Sequence, residues 1–221
     1  MNKVDLKPVF DFLSGLKEDN DKSWFEEHRA DYELARERFE SFVDELIGEY
    51  GKVEDLGGIT AKDCVMRIYR DVRFSKDKSP YKTNMGATLA PGGKKSTSLG
   101  YHLHIQPEDQ SLIAGGLYMP SPEQLARFRK AIDRDAAPFK AILQEKEFKK
   151  YFGTLEGEKV KTVPQGYSSE HPEIDLLRFK QAVVVHHLSD ETVLSPTFGA
   201  HTIKVFKAMK PFLDYLNGIL K

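Results

Sequence analysis

Apolar residues recur at helical spacing near the start of the chain, where Val9, Phe12, Leu13 and Leu16 fall on one face between Pro8 and Leu16. A longer helical pattern begins at about Asn20, and Trp24, Phe25, His28, Tyr32, Phe39, Val43, Leu46 and Ile47 mark its inward stripe. Gly51 follows Tyr50 at the point where a left-handed residue would close that helix. Beyond Gly57-Gly58 the period changes. Cys64 to Tyr69 sets Val65, Arg67 and Tyr69 against Cys64, Met66 and Ile68, which is strand alternation. Met85 to Leu89, Leu99 to Ile105 and Ser111 to Tyr118 are further β-like runs, separated by Pro91-Gly92-Gly93 and Pro107-Glu108-Asp109 as turns.

In the second half, Ser121-Pro122-Glu123-Gln124 places a hydroxyl, a proline and a glutamine as a capping box requires, and Leu125, Phe128 and Ile132 face inward after it. Asp135 to Tyr151 supplies one or two more helices ending at Gly153, and a loop rich in Gly and Pro runs to about Pro172. The β-branched run Ala182 to Leu188 is expected to be a central strand. A closing helix from about Thr197 to Leu220 carries Ile203, Phe206, Met209, Leu213 and Leu216, with Pro211 as a possible kink site. The pattern predicts an α+β fold, a mostly antiparallel sheet of four or more strands flanked by N-terminal, middle and C-terminal helices. Without a repeat, linker or low-complexity tract, residues 1–221 are expected to form a single domain.

Composition narrows the setting. Lys plus Arg (33) nearly balances Asp plus Glu (34), so no global field draws the chain to nucleic acid or anionic lipid. The only cysteine, Cys64, cannot close an intramolecular disulfide, which suits a reducing cytoplasm. The opening Met1-Asn2-Lys3-Val4 has no apolar leader, and no run is long enough to span a bilayer, so a cytoplasmic protein without membrane insertion is expected.

Charge becomes informative locally. Residues 62–82 hold seven Lys or Arg against three Asp. Forked and point-charge donors gathered on one strand and loop are what phosphate or carboxylate recognition needs. Arg67, Arg70, Arg73, Lys76, Lys78 and Lys82, with Tyr81 and Tyr101, are therefore the candidate contacts for a small anionic ligand, phosphorylated compounds included. Asp71, His102 and His104 are the candidate acid or base groups, on the expectation that the strand containing His102 reaches the same end of the sheet as the basic loop. Three other readings compete. The charges could hold a long turn, with Asp71 and Asp77 pairing to Arg70, Arg73 and Lys78. The loop could bind nucleic acid or a protein, with Tyr81 and Tyr101 as stacking surfaces, although the balanced net charge weighs against nucleic acid. Finally, His102-Leu103-His104 with Glu108 and Gly115 imitates half of a cupin metal motif, but Ser96 stands where a glycine is expected and no third histidine ligand follows in a Gly-Pro-Gly turn. His186 and His187 point to opposite faces of a regular strand. No metal site is assigned, and neither cofactor nor oligomeric state can be read. No nucleophile elbow, phosphate-cradling glycine loop or dinucleotide fingerprint is present, which removes those enzyme classes.

Three stretches carry a resemblance: Asn20-Asp21-Lys22-Ser23-Trp24-Phe25 with Arg29 and Tyr32, Arg70-Asp71-Val72-Arg73-Phe74-Ser75-Lys76-Asp77-Lys78-Ser79-Pro80-Tyr81-Lys82, and Gly115-Gly116-Leu117-Tyr118-Met119-Pro120. Together they resemble the family catalogued as domain of unknown function 2461, chiefly bacterial conserved hypothetical proteins. The resemblance implies one full-length domain in the cytoplasm and brings no reaction, cofactor or catalytic residue with it.

Overall fold

The computed structural model describes residues 4–221. Met1, Asn2 and Lys3, on which the expectation of no apolar leader partly rests, lie outside the described residues. Helices α1 (Lys7–Glu18), α2 (Lys22–Glu27), α3 (Arg29–Tyr50) and the single turn α4 (Ala61–Cys64) precede strands β1 (Met85–Leu89), β2 (Tyr101–Ile105) and β3 (Ser111–Leu117). Then come α5 (Pro122–Arg134), α6 (Ala137–Gln144), α7 (Lys146–Phe152), α8 (Ile174–Leu177), β4 (Ala182–Leu188), α9 (Asp190–Leu194) and α10 (Phe198–Leu220). The strands form a four-stranded antiparallel sheet in the order β1-β2-β3-β4. The fold is α+β.

The chain divides into two compact units, residues 1–97, 101–113 and 187–204 in the first and residues 98–100, 114–186 and 205–221 in the second. In the first unit, Val9, Phe12, Leu13 and Leu16 of α1 are buried, as are Phe39, Val43, Leu46 and Tyr50 of α3. Met85 pairs with Ile105 and Leu89 with Tyr101 across β1 and β2, so Tyr101, Leu103 and Ile105 line the buried face while His102 and His104 share the other face with Gly86 and Thr88. In the second unit the Ser121 capping box forms, with the Ser121 hydroxyl accepting from the Gln124 N–H and the Gln124 side chain from the Ser121 N–H. Phe128, Phe139, Phe148 and Phe212 are buried there.

Four expectations need correction. The helix from Asn20 is broken at His28, whose ring stacks on Trp24 at 3.9 Å and whose Nδ1 lies 2.9 Å from the Trp24 carbonyl, so α2 ends and α3 starts anew. Gly51 closes α3 with a right-handed φ of −57°, its N–H bonded to the Ile47 carbonyl, so no left-handed cap is used. The predicted strand from Cys64 is not continuous. The Asp63 carboxylate accepts from the Thr60 N–H and hydroxyl, coiling Ala61–Cys64 into a helical turn, and the extended stretch after it makes only isolated bridges, Val65 to Ala87 and Tyr69 to Tyr81. Lastly, β4 ends the strand order instead of lying centrally, and an isolated bridge between Glu156 and Val183 supplies backbone bonds on a second side of it. The turn α9 escaped the periodicity because its signal is the N-cap Ser189, whose hydroxyl accepts from the Thr192 N–H.

Candidate functional site

The basic segment is a hairpin in the first unit. The Lys82 N–H donates to the Ile68 carbonyl and the Arg70 N–H to the Pro80 carbonyl, on either side of the bridged pair Tyr69 and Tyr81. Its base is seated on aromatic rings. Tyr81 stacks on Phe25 at 4.1 Å, and Tyr69 and Tyr32 lie at 6.2 Å and 5.0 Å from the same ring. Asn20 completes the attachment, its amide donating to the Tyr81 carbonyl and its oxygen accepting from the Tyr81 N–H. The first two sequence stretches that suggested a family thus meet at one place.

Most charges of the hairpin turn inward upon the hairpin itself. Arg70 pairs with Asp77, and Arg73 with Asp71 at 2.6 Å. The Ser79 hydroxyl and N–H, then Arg70, hold the Asp77 carboxyl well below the usual carboxylate range, and Arg73 likewise lowers Asp71. Lys78 donates to the Val72 carbonyl and Lys82 to the Arg67 carbonyl. Arg67 and Lys76, by contrast, have no side-chain partner among the described residues. Phe74, at the tip, is 96% exposed beneath the Arg73 guanidinium.

Beside the hairpin base, a cavity of about 190 Å3 opens between α3, the turn α4 and the extended stretch after it. Its walls are Tyr32, Val65, Met66, Ile68, Tyr69 and Met85, and its polar lining is Arg36, Glu40, Lys62, Arg67, Asn84 and Lys94. Arg36 is bonded to Glu40 at 2.7 Å. Lys94 donates to the carbonyls of Lys62 and Val65, which fixes the turn that carries Lys62. The side chains of Lys62, Arg67 and Asn84 have no hydrogen-bond or ion-pair partner among the described residues.

Of the candidate acid and base groups, His102 and His104 sit half-buried on the face of β2 opposite Tyr101 and Leu103, and Asp71 lies in the hairpin. Burial first, then the neighbouring His104 and Lys82, pushes His102 down to about 4, and burial lowers His104 as well. Lys82 is itself lowered by burial and by the nearby Arg67 charge. Lys82 is thus the charge that both histidines sense, and Arg67 acts on it in turn. Asp71 is occupied by Arg73, and among the described residues no hydrogen bond joins it to either histidine. Two ligand-contact expectations need correction in kind. Tyr81 and Tyr101 are 4% and 2% exposed, so neither offers a stacking face. Tyr101 instead shares a buried hydroxyl network with Tyr50 and Glu54. Among the described residues no group of three His, Cys, Asp or Glu gathers as a metal set, so His102 and His104 lack a third ligand there. Tyr32, Arg36, Glu40, Lys62, Tyr69, Asn84 and Lys94 line the cavity and were not among the sequence candidates. Outside the basic segment only the Arg36 and Glu40 spacing of four hinted at any of them, and it reads equally as an ordinary helix-surface pair.

The third stretch has a packing role in the second unit. A β-carbon on Gly115 would fall 2.3 Å from the Met209 sulfur, and one on Gly116, whose φ is +125°, would fall 2.3 Å from the Ala182 carbonyl oxygen. The chain belongs to the family described as "Conserved hypothetical protein (DUF2461)", whose model matches residues 8–215. No curated protein and no solved structure matches it. No helix among the described residues is long and apolar enough to cross a membrane.

Proposed function

We propose that this protein binds a small anionic ligand in the cavity at the hairpin base, with Arg67 and Lys62 as the anion contacts. The observation that carries the reading is a contrast within one segment: Arg70, Arg73, Lys78 and Lys82 are bonded inside the hairpin, whereas Arg67 and Lys62 reach a cavity without partners. Neither cation is hydrogen-bonded or ion-paired to a carboxylate among the described residues, although the Arg67 charge helps to lower Asp71, so both can turn to an incoming anion. The cavity is smaller than the roughly 300–1,000 Å3 of drug-sized sites, which suits a compact ligand. Both units are taken to serve as one domain, a view supported by the family match running across both, and a cytoplasmic setting is supported by the lone Cys64.

Isothermal titration with inorganic phosphate tests this. Saturable binding is expected, weakened about tenfold or more in Arg67→Met and unchanged in Arg73→Met. Absence of saturable heat with phosphate, phenyl phosphate and benzoate alike in the wild-type protein defeats the reading.

A second reading rests on Phe74. A ring 96% exposed beside Arg73 and Lys76 offers a stacking surface for a base of single-stranded nucleic acid, in place of the buried Tyr81 and Tyr101. It requires oligonucleotide binding that falls steeply with salt and is lost in Phe74→Ser.

A further inference from the structure

We infer that the ligand of this cavity is an amphipathic anion, a phosphomonoester or comparable dianionic head joined to a compact apolar or aromatic body. The inference rests on the anion reading above and adds the chemical class. Its first support is the arithmetic of partners. Arg36, Lys62, Arg67 and Lys94 line the cavity against a single carboxylate, Glu40. Glu40 is bonded to Arg36, and Lys94 is engaged by two carbonyls. Two cations remain, one a planar fork and one a point charge, and they come from different elements, Lys62 from α4 and Arg67 from the extended stretch. A single negative charge would leave one of them unmatched, whereas a phosphate dianion accepts a forked pair of hydrogen bonds and a third from an ammonium. The Asn84 amide adds a neutral donor at the same wall.

The second support is the opposite side of the lining. Val65, Met66, Ile68, Met85 and the rings of Tyr32 and Tyr69 make half of the residues around the cavity. Val65, Ile68 and Met85 are already buried, so the apolar surface still open to water is that of Met66 and the rings of Tyr32 and Tyr69. Inorganic phosphate would leave it exposed, whereas a phenyl or short alkyl ester covers it, and apolar area removed from water adds to affinity in proportion. Tyr69 is 47% exposed, so part of its ring is available to such a body without rearrangement of the core.

Isothermal titration with inorganic phosphate, phenyl phosphate and benzoate decides the matter. Phenyl phosphate should bind at least tenfold more tightly than either of the others. Tyr69→Ser should remove most of the advantage of phenyl phosphate while leaving inorganic phosphate unchanged, and Arg67→Met should weaken both. Thermal midpoints of the two variants within a degree or two of wild type show that the fold is kept, and Lys62→Met provides the same test of the head group should Arg67→Met be unstable. Equal affinity for phosphate and phenyl phosphate overturns the inference while the anion reading stands. Tighter binding of benzoate than of phenyl phosphate overturns the dianion. No saturable binding of any of the three overturns both.

Discussion

The side-chain amide of Asn20 makes both hydrogen bonds that a neighbouring β-strand would make to Tyr81, donating to its carbonyl at 3.1 Å and accepting from its N–H at 3.2 Å. One residue thereby substitutes for a strand and pins the hairpin base against α2. Asn20→Ala removes both bonds and is expected to destabilise the protein by about 1–3 kcal/mol. Chemical denaturation checks this, and Asn20→Asp, which keeps the acceptor but sets a carboxylate oxygen against the Tyr81 carbonyl and between Asp19 and Asp21, should not recover the loss.

Gly116→Ala should be the costlier change. Its β-carbon would meet the Ala182 backbone oxygen, which cannot move aside as a flexible side chain can, and alanine resists a φ of +125°. Strain and overpacking together are expected to cost about 3 kcal/mol or more, lowering Tm by roughly 6–12 °C in a chain of this size. Gly115→Ala meets the end of Met209 and should be milder. Differential scanning calorimetry of the two variants gives the order.

Acid should weaken the fold through His102. Its folded pKa of about 4 lies below its ordinary 6.5, so between these values the unfolded chain binds a proton that the folded chain refuses. Stability is therefore full above pH 6.5 and lost as pH falls toward 4, by up to about 3 kcal/mol, with His104 adding in the same direction. In His102→Asn the slope of stability against pH across that window should flatten. An unchanged slope would show that the imidazole is not the group responsible.

Cys64 should be inert in the folded protein. It is wholly buried, and burial, with Asp63 adding to it, pushes its thiol up to about 11, so almost no thiolate exists at pH 8. Alkylation by iodoacetamide should accordingly follow global unfolding, rising with urea along the same curve as the circular dichroism signal. Rapid modification in buffer would contradict the assigned environment.

The helices and strands with strong period and clear caps were legible in the sequence. The Ser121 box, the runs of β1, β2 and β3, and Gly153, which ends α7 at a φ of +64°, all rest on local chemistry. Where one side-chain contact within a single turn chooses the outcome, periodicity was silent. The break at His28 depends on its ring settling on Trp24, and the turn at Ala61–Cys64 depends on the Asp63 carboxylate bonding back to Thr60. The cavity was harder still, because Tyr32 and Arg36 are distant in sequence from Arg67 and Asn84 and only folding brings them together. Charge density identified the segment as unusual but could not tell which of its cations would be used up within it.

The division of the chain into interleaved units bears on how the protein is made. The polypeptide passes from one unit to the other five times, and the first unit is completed only by residues 187–204. A ribosome must therefore emit the chain through residue 204, with most of the second unit already made, before the first unit has all its parts. No single cut in the coding sequence releases either unit intact. Nascent helices α1 to α3 have to wait, partly assembled, for partners synthesised late, and growth temperature and translation speed become conditions on the yield of native protein.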